Sequence, residues 1–237
     1  MVGVWRLHID LRWSEEIQDE FPELVVCIGL ITGVSLQKEN ERLAQLKKTV
    51  YEEVKRKFAI DTLKDDPTVR AYRDFYWKLN IDPTKTRPAG EALLRRVLHG
   101  DQLPEISTVV DAYNLASMKT LIPISGFDFD ALTPPFQVRF AKDGENFTGI
   151  GMKTPVALTQ NMVVLADTKG VVCIYPHRDC DHTKITMATE NVVIVGYGAL
   201  GMASDQIREA VETALEFINQ VSGGEIAAKE AFRSGVG

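Results

Sequence analysis

The chain has 237 residues, 45% hydrophobic and 25% charged, the balance of a globular protein long enough for one large domain or two small ones. No run of about 18 apolar residues occurs, and the longest apolar stretch, residues 24–36, is broken by Gly29, Thr32, Gly33 and Ser35, which excludes a helical membrane span. The net charge of −6 argues against a general DNA or RNA coat, whose many phosphate contacts need a basic surplus.

Residues 2–10 alternate loosely and predict a strand. Ser14 followed by Glu15 and Glu16 predicts a short helix start. Residues 24–31 are rich in β-branched side chains and predict a buried strand. Residues 38–58 carry the clearest helical pattern. Leu43, Leu46, Val50, Val54 and Phe58 share one face, while Lys47, Glu52, Glu53, Lys55 and Arg56 lie mostly on the other. Asp66-Pro67 predicts a cap and a first helical residue, opening a helix with Val69, Tyr72, Tyr76 and Leu79 on one side. A loop over 80–88 precedes a helix over 91–98, which stops at His99-Gly100. From residue 108 onward strands are predicted at 108–112, 136–141, 162–166, 171–175, 184–187 and 191–195. The pair 162–166 and 171–175 reads as a hairpin. Ser204 caps a last helix with Ile207, Val211, Leu215 and Ile218 on one face, ended by Ser222-Gly223-Gly224. The remaining tail to Gly237 reads as short and mobile. No repeat, low-complexity segment or linker interrupts this order, which indicates a single α+β domain. The start Met1-Val2-Gly3-Val4-Trp5 lacks signal-peptide features, and three cysteines leave one unpaired in any disulfide scheme. Both point to reduced thiols and a cytoplasmic protein.

Four motifs have chemical potential, each with a plainer alternative. Lys85, Arg87, Arg95 and Arg96 surround the single acid Glu91. They form a basic patch that could hold a phosphate or carboxylate, or could tie loops to the body by ion pairs. Glu91 lies one turn before Arg95, within reach of an ion pair. Cys173, His177, Cys180 and His182 could hold zinc or build a thiol nucleophile, or could be a core cysteine beside a polar loop. Gly196-x-Gly198-x-x-Gly201 matches a dinucleotide-binding string. The helix starts late, near Ser204, and no second parallel strand follows, so the match reads as chance. Asp128-Phe129-Asp130 could bind a cation or act as an acid/base pair, and equally reads as turn and cap acids. No cofactor is implied.

The central region resembles a known family. Arg87-Pro88-x-x-Glu91-Ala92-Leu93-Leu94-Arg95-Arg96, then Val109-Val110-Asp111-x-x-Asn114, then Phe127-Asp128-x-Asp130 follow the order and spacing of the B3/B4 domain. That domain is the tRNA-editing module of the phenylalanyl-tRNA synthetase β-subunit. Arg139-x-Ala141-x-x-Gly144-Glu145 and Arg178-Asp179-x-x-x-Thr183 extend the match. Tyr72-Arg73 and Asp82-Pro83-x-Lys85 resemble the stand-alone form of the domain.

The resemblance covers about 70–195. It implies a compact α+β fold of β-sheets packed with helices, related to a domain of tRNA lysidine synthetase, with 1–66 as an N-terminal elaboration, 1–222 as one domain and 223–237 as a tail. It further implies binding of an aminoacyl-tRNA 3′ end and hydrolysis of a mischarged ester, with a binding module for a free amino acid or other small ligand as the alternative. Asn114, Tyr113, Ser125, Arg87 and Glu91 would then contact substrate, Lys85, Arg87, Arg95 and Arg96 would contact RNA, and Ser125 is the candidate catalytic residue. Tyr113 stands where the synthetase pattern usually has threonine, and Ser125 where it has histidine. The strand over 191–195 runs into Gly196-Tyr197 where a glutamate is usual. The tyrosine would narrow the pocket, and no base for Ser125 is visible in the sequence.

Overall fold

A computed structural model describes residues 9–235. Most of the strand expected over 2–10 lies outside the described residues. Ile9 and Asp10 are irregular, and the first strand, β1, is Leu11–Trp13. Ser14 then caps α1 (Glu15–Glu20) by accepting from the Ile17 amide. The apolar run after it becomes β2 (Val25–Thr32), buried along nearly its whole length. Asn40 caps α2 (Glu41–Lys57), which buries Leu43, Leu46, Val50 and Val54 as its spacing requires. Asp66 accepts from the Thr68 and Val69 amides and opens α3 (Pro67–Lys78). There Phe75 joins Val69, Tyr72 and Tyr76 in the core. A loop leads into α4 (Ala89–Leu98).

The remaining elements are α5 (Thr108–Thr120), β3 (Ile124–Asp128), β4 (Phe136–Phe140), β5 (Asn146–Phe147), β6 (Val156–Ala157), β7 (Val163–Ala166), β8 (Val171–Ile174), β9 (Arg178–Asp179), β10 (Asn191–Tyr197), α6 (Ser204–Ser222) and β11 (Glu225–Arg233). They build two main sheets. One is antiparallel throughout, in the order β11-β2-β10-β3. The other runs β1-β4-β7-β8-β9, antiparallel except where β1 joins β4. The β7–β8 hairpin forms as its sequence indicates. β5 and β6 make a separate pair.

Helix α6 lies directly on the four-stranded sheet because two strand residues lack side chains. A Cβ on Gly29 would stand 2.6 Å from Leu215, and one on Gly196 would stand 2.7 Å from Val211. Two buried tyrosines fix the end of β10. Tyr72 of α3 donates to the Tyr197 carbonyl at 2.5 Å, and Tyr175, just past β8, donates to the Gly198 carbonyl at 2.8 Å. One large apolar core runs between the sheets and helices, and Ala141, Phe147, Leu158, Val164, Val171, Ile174 and Cys180 form a satellite cluster. The chain is a single compact α+β domain, and among the described residues no helix is long and apolar enough to cross a membrane.

Three expectations are corrected. Residues 108–112 are not a strand but the first turns of α5, capped by Ser107, whose side chain accepts from the Val110 amide. Their β-branched content suggested a strand. α5 is buried around much of its circumference, so the one-sided periodicity that marks a helix is missing. Residues 184–187 form no strand, since Lys184 makes only a single bridge to Phe127 and the next residues turn. The tail expected over 223–237 is, in its described residues 223–235, not loose. Gly223 and Gly224, both at positive φ, reverse the chain, and β11 pairs along β2 from Thr32 to Val25.

Truncation after Gly224 should therefore be destabilising. It strips the outer edge of β2 and exposes the apolar surface under half-buried Ala231 and Phe232. A loss of about 2–3 kcal/mol is expected from that surface alone. A denaturant melt of the truncated chain that matched the full chain would contradict this packing.

Candidate functional site

Strand pairing builds the site from the edges of both sheets. Ser125 of β3 lies opposite Val195 of β10, so Ser125, Val195 and Tyr197 share one face. Asp179 of β9 lies opposite Cys173 of β8, so those two share a face of the other sheet. The two faces meet, and Ser125 Oγ donates to Asp179 Oδ1 at 2.6 Å. The outer edge of β3 is covered further along by the Asp128 amide bond to the Thr183 carbonyl.

The surroundings of this pair are short of water. Ser125 is 7% exposed, while Asp179 keeps some solvent contact. Burial pushes the Asp179 carboxyl up to about 6, with Ser125 and Cys173 beside it pulling the other way. The Tyr197 hydroxyl is fully buried nearby, and burial holds it well above the usual phenol range. Tyr113 of α5 comes over β3 at Gly126. A Cβ there would stand 2.6 Å from Tyr113 Cε1 and 2.9 Å from Ile185 Cδ1. Burial first, then the charges of Asp179 and Asp111, raise the Tyr113 hydroxyl, so it remains a protonated donor. Asn114 follows on the same helix, half-buried, its amide making no hydrogen bond among the described residues.

The other sequence candidates go elsewhere. Glu91 is 1% exposed and held by Arg73 (2.5 Å) and Arg95 (2.6 Å). Burial pushes its carboxyl up, but the two guanidinium groups outweigh that and hold it below the usual range. This triad ties α3 to α4 and leaves Glu91 no face for a substrate. Arg96 donates to the Gln102 carbonyl. Lys85 and Arg87 are exposed, Lys85 only 3.8 Å from Asp82, and Arg87 makes no ion pair among the described residues. The basic patch thus divides into a structural half, Arg95 and Arg96, and an exposed half, Lys85 and Arg87.

Asp111 is buried against Lys47 at 2.8 Å and accepts from the Ile106 amide. Asp128 accepts from the Asp130 amide and from Thr189, while Asp130 accepts from Asn191, so both acids serve turns. No three of the histidines, cysteines and acids among the described residues gather as a metal site. Cys180 is buried against Thr183 at 2.8 Å, and burial raises its thiol. Gly196 and Gly198 serve close packing against α6 and β2, and Gly201 makes a turn.

The carboxylate was missed. The sequence reading looked for it at the end of β10, whereas β9 supplies it, 54 residues from Ser125. The string Arg178-Asp179 marked the position as part of a pattern, but nothing local says that its carboxyl meets β3.

A family model, the B3/4 domain, matches residues 71–223. The chain belongs to the B3/4 domain family. It is 25% identical over 167 residues to the phenylalanine–tRNA ligase β-subunit of Neisseria meningitidis serogroup B, a match covering 61% of this chain and 21% of that one. It is 27% identical over 171 residues to the same subunit of Haemophilus ducreyi, covering 62% and 21%. This B3/4 chain thus spans about a fifth of the length of these curated relatives. Among solved structures, an N-terminal fragment of the phenylalanyl-tRNA synthetase β-subunit from Pyrococcus horikoshii superposes with a TM-score of 0.52 at 16% identity, covering 95% of this chain and 52% of the fragment. The fold is therefore shared with this N-terminal fragment.

The half-buried Asp179 carboxylate gives a signed prediction. Its folded pKa, about 6, lies above the ordinary value of 3.8, so the fold disfavours the charged form. The penalty is absent well below pH 4, grows between about 4 and 6, and is complete above 6. Asp179→Asn, whose amide oxygen still accepts from Ser125, should stabilise the protein at pH 7.5 by about 1–2 kcal/mol after allowing for residual solvent contact. The gain should vanish near pH 3.5 in thermal melts.

Proposed function

We propose that this B3/4 domain binds the aminoacylated 3′ end of a tRNA at the Ser125–Asp179 seam and hydrolyses the ester. The observation that carries the reading is the 2.6 Å pair itself, a hydroxyl on a carboxylate whose pKa is raised to about 6, in a domain of this family. At pH 7 such a carboxylate is mostly ionised and well matched to accept a proton. In this reading Asp179 takes a proton from a water as that water attacks the ester carbonyl. The carbon–oxygen bond to the ribose breaks, and Asp179 returns that proton to the leaving ribose oxygen, giving free amino acid and a 3′ hydroxyl. Ser125 holds the carboxylate in place and offers its oxygen to the incoming water. In this reading Asn114 binds the amino acid, and Lys85 and Arg87, both exposed, contact phosphate.

A second reading keeps the pocket without turnover, as a site for a free amino acid or other small ligand. The net charge of −6 and the engagement of Arg95 and Arg96 within the protein favour it, since both weaken attraction for RNA.

Release of amino acid from a panel of mischarged tRNAs decides between them. The deacylase reading expects turnover that falls by about 100-fold or more in Asp179→Asn. It also expects kcat to rise with pH through about 6 in the acid limb. Arg87→Ala should raise KM with little change in kcat. No release from any ester at high protein concentration, together with a melting shift from free amino acids, would leave the binding reading in its place.

A further inference from the structure

A cavity of about 300 Å³ lies away from the seam, where α2, α3, α5 and α6 come together. Sites for small molecules begin at about that size. Buried Val54 and Ile122 belong to its inner wall, while Lys57, Gln206 and Glu209 are exposed toward its mouth. None of its lining residues belongs to the Ser125–Asp179 pair.

Two cations and two acids line it, and they are not equivalent. Lys119 of α5 and Glu53 of α2 bond each other at 2.7 Å, and the Lys119 ammonium also lies 5.7 Å from the centre of the Phe217 ring. That pair is satisfied. Lys57 and Glu209 line the same cavity from α2 and α6 but do not bond each other. Neither has a charged partner among the described residues, and the Lys57 ammonium lies 4.9 Å over the ring of Phe58 instead. An unpaired cation and an unpaired anion thus share one small space.

The neutral groups sort in the same way. Gln206 accepts from the Ala203 amide through its oxygen, which leaves its NH₂ group to donate. The Thr68 hydroxyl, at the start of α3, is unbonded among the described residues. Thr213 has given its proton to the Glu209 carbonyl at 2.8 Å, so its oxygen is left to accept. Gln206, Glu209 and Thr213 follow one another at steps of three and four, which puts a donor and then two acceptors along one face of α6.

A small ligand that answers both sets carries an anion and a cation on neighbouring atoms. A plain anion would meet the Glu209 charge, and a plain amine would meet that of Lys57, each at a Coulombic cost. We propose that this four-helix cavity binds a free α-amino acid, its carboxylate at Lys57 and Gln206 and its ammonium at Glu209 and Thr213. The site is separate from the seam and does not depend on how Ser125 and Asp179 are read.

Calorimetric titration of the full chain with each of the twenty free amino acids tests this. At least one should bind. Its decarboxylated amine and its deaminated acid should each bind at least about tenfold more weakly, since each loses a charge-assisted bond. Lys57→Ala and Glu209→Ala should each weaken the amino acid by about tenfold or more. Both side chains are exposed, so unchanged thermal melts of these variants without ligand are expected. Binding should survive Asp179→Asn. Loss in Asp179→Asn with full binding in Lys57→Ala and Glu209→Ala would move the ligand to the seam and overturn the cavity. Equal affinity for either singly charged analogue would overturn the zwitterion, and no heat from any amino acid at millimolar concentration would overturn the site altogether.

Discussion

A carboxylate held where two sheets meet sets the terms for this domain. Asp179 sits on the last, two-residue strand of one sheet and accepts a hydrogen bond from Ser125 on the edge strand of the other. Removing a carboxylate from water is unfavourable, and one hydrogen bond to a neutral hydroxyl does not offset it, which is why its pKa rises. The rest of the fold must hold the two edges together against that cost. The tyrosines do much of this. Tyr72 and Tyr175 bond the backbone at the end of β10, and Tyr175 and Tyr197 pack edge to face with ring centres 4.9 Å apart. A group kept in an unfavourable state by a rigid frame is a common arrangement where chemistry is done.

The residues that carry the family resemblance mostly hold the frame. Glu91 joins two helices through Arg73 and Arg95, Asp111 receives Lys47, and Arg139 and Glu145 pair at 2.7 Å near the turn after β4. Asp128 and Asp130 tie the turn after β3 to Thr189 and Asn191. Each is an acid whose partner is determined by the fold, so such positions can persist while the chemistry at the seam differs. Tyr113 and Ser125 occupy seam positions where this chain departs from the synthetase pattern, and there the structure offers its own pairing.

Much of the fold was legible because local signals agreed with tertiary packing. Ser14, Asn40 and Asp66 cap helices as side chains with a short acceptor do, and the apolar faces of α2 and α6 are the buried ones. Where burial is nearly complete the signal disappears. α5 is apolar or small on most sides, so Thr108, Val109 and Val110 read as strand. β3 is five residues long and contains Gly126, a poor strand former chosen by the closeness of Tyr113. β11 looks like a polar tail because one edge and much of its surface face water, and only the long pairing with β2 makes it a strand.

The sequence by itself determined the α+β class, the helix starts, the central hairpin and the membership signalled by ordered motifs from Tyr72 to Thr183. Those features depend on contacts within a few residues or on patterns that survive divergence. Tertiary structure alone decided which carboxylate faces Ser125, that Glu91 is sequestered, that Lys85 and Arg87 stay exposed, and that Tyr113 lies on Gly126. Those facts depend on how two sheets are set against each other. Ser125 and Asp179 are 54 residues apart, and no local preference encodes their distance.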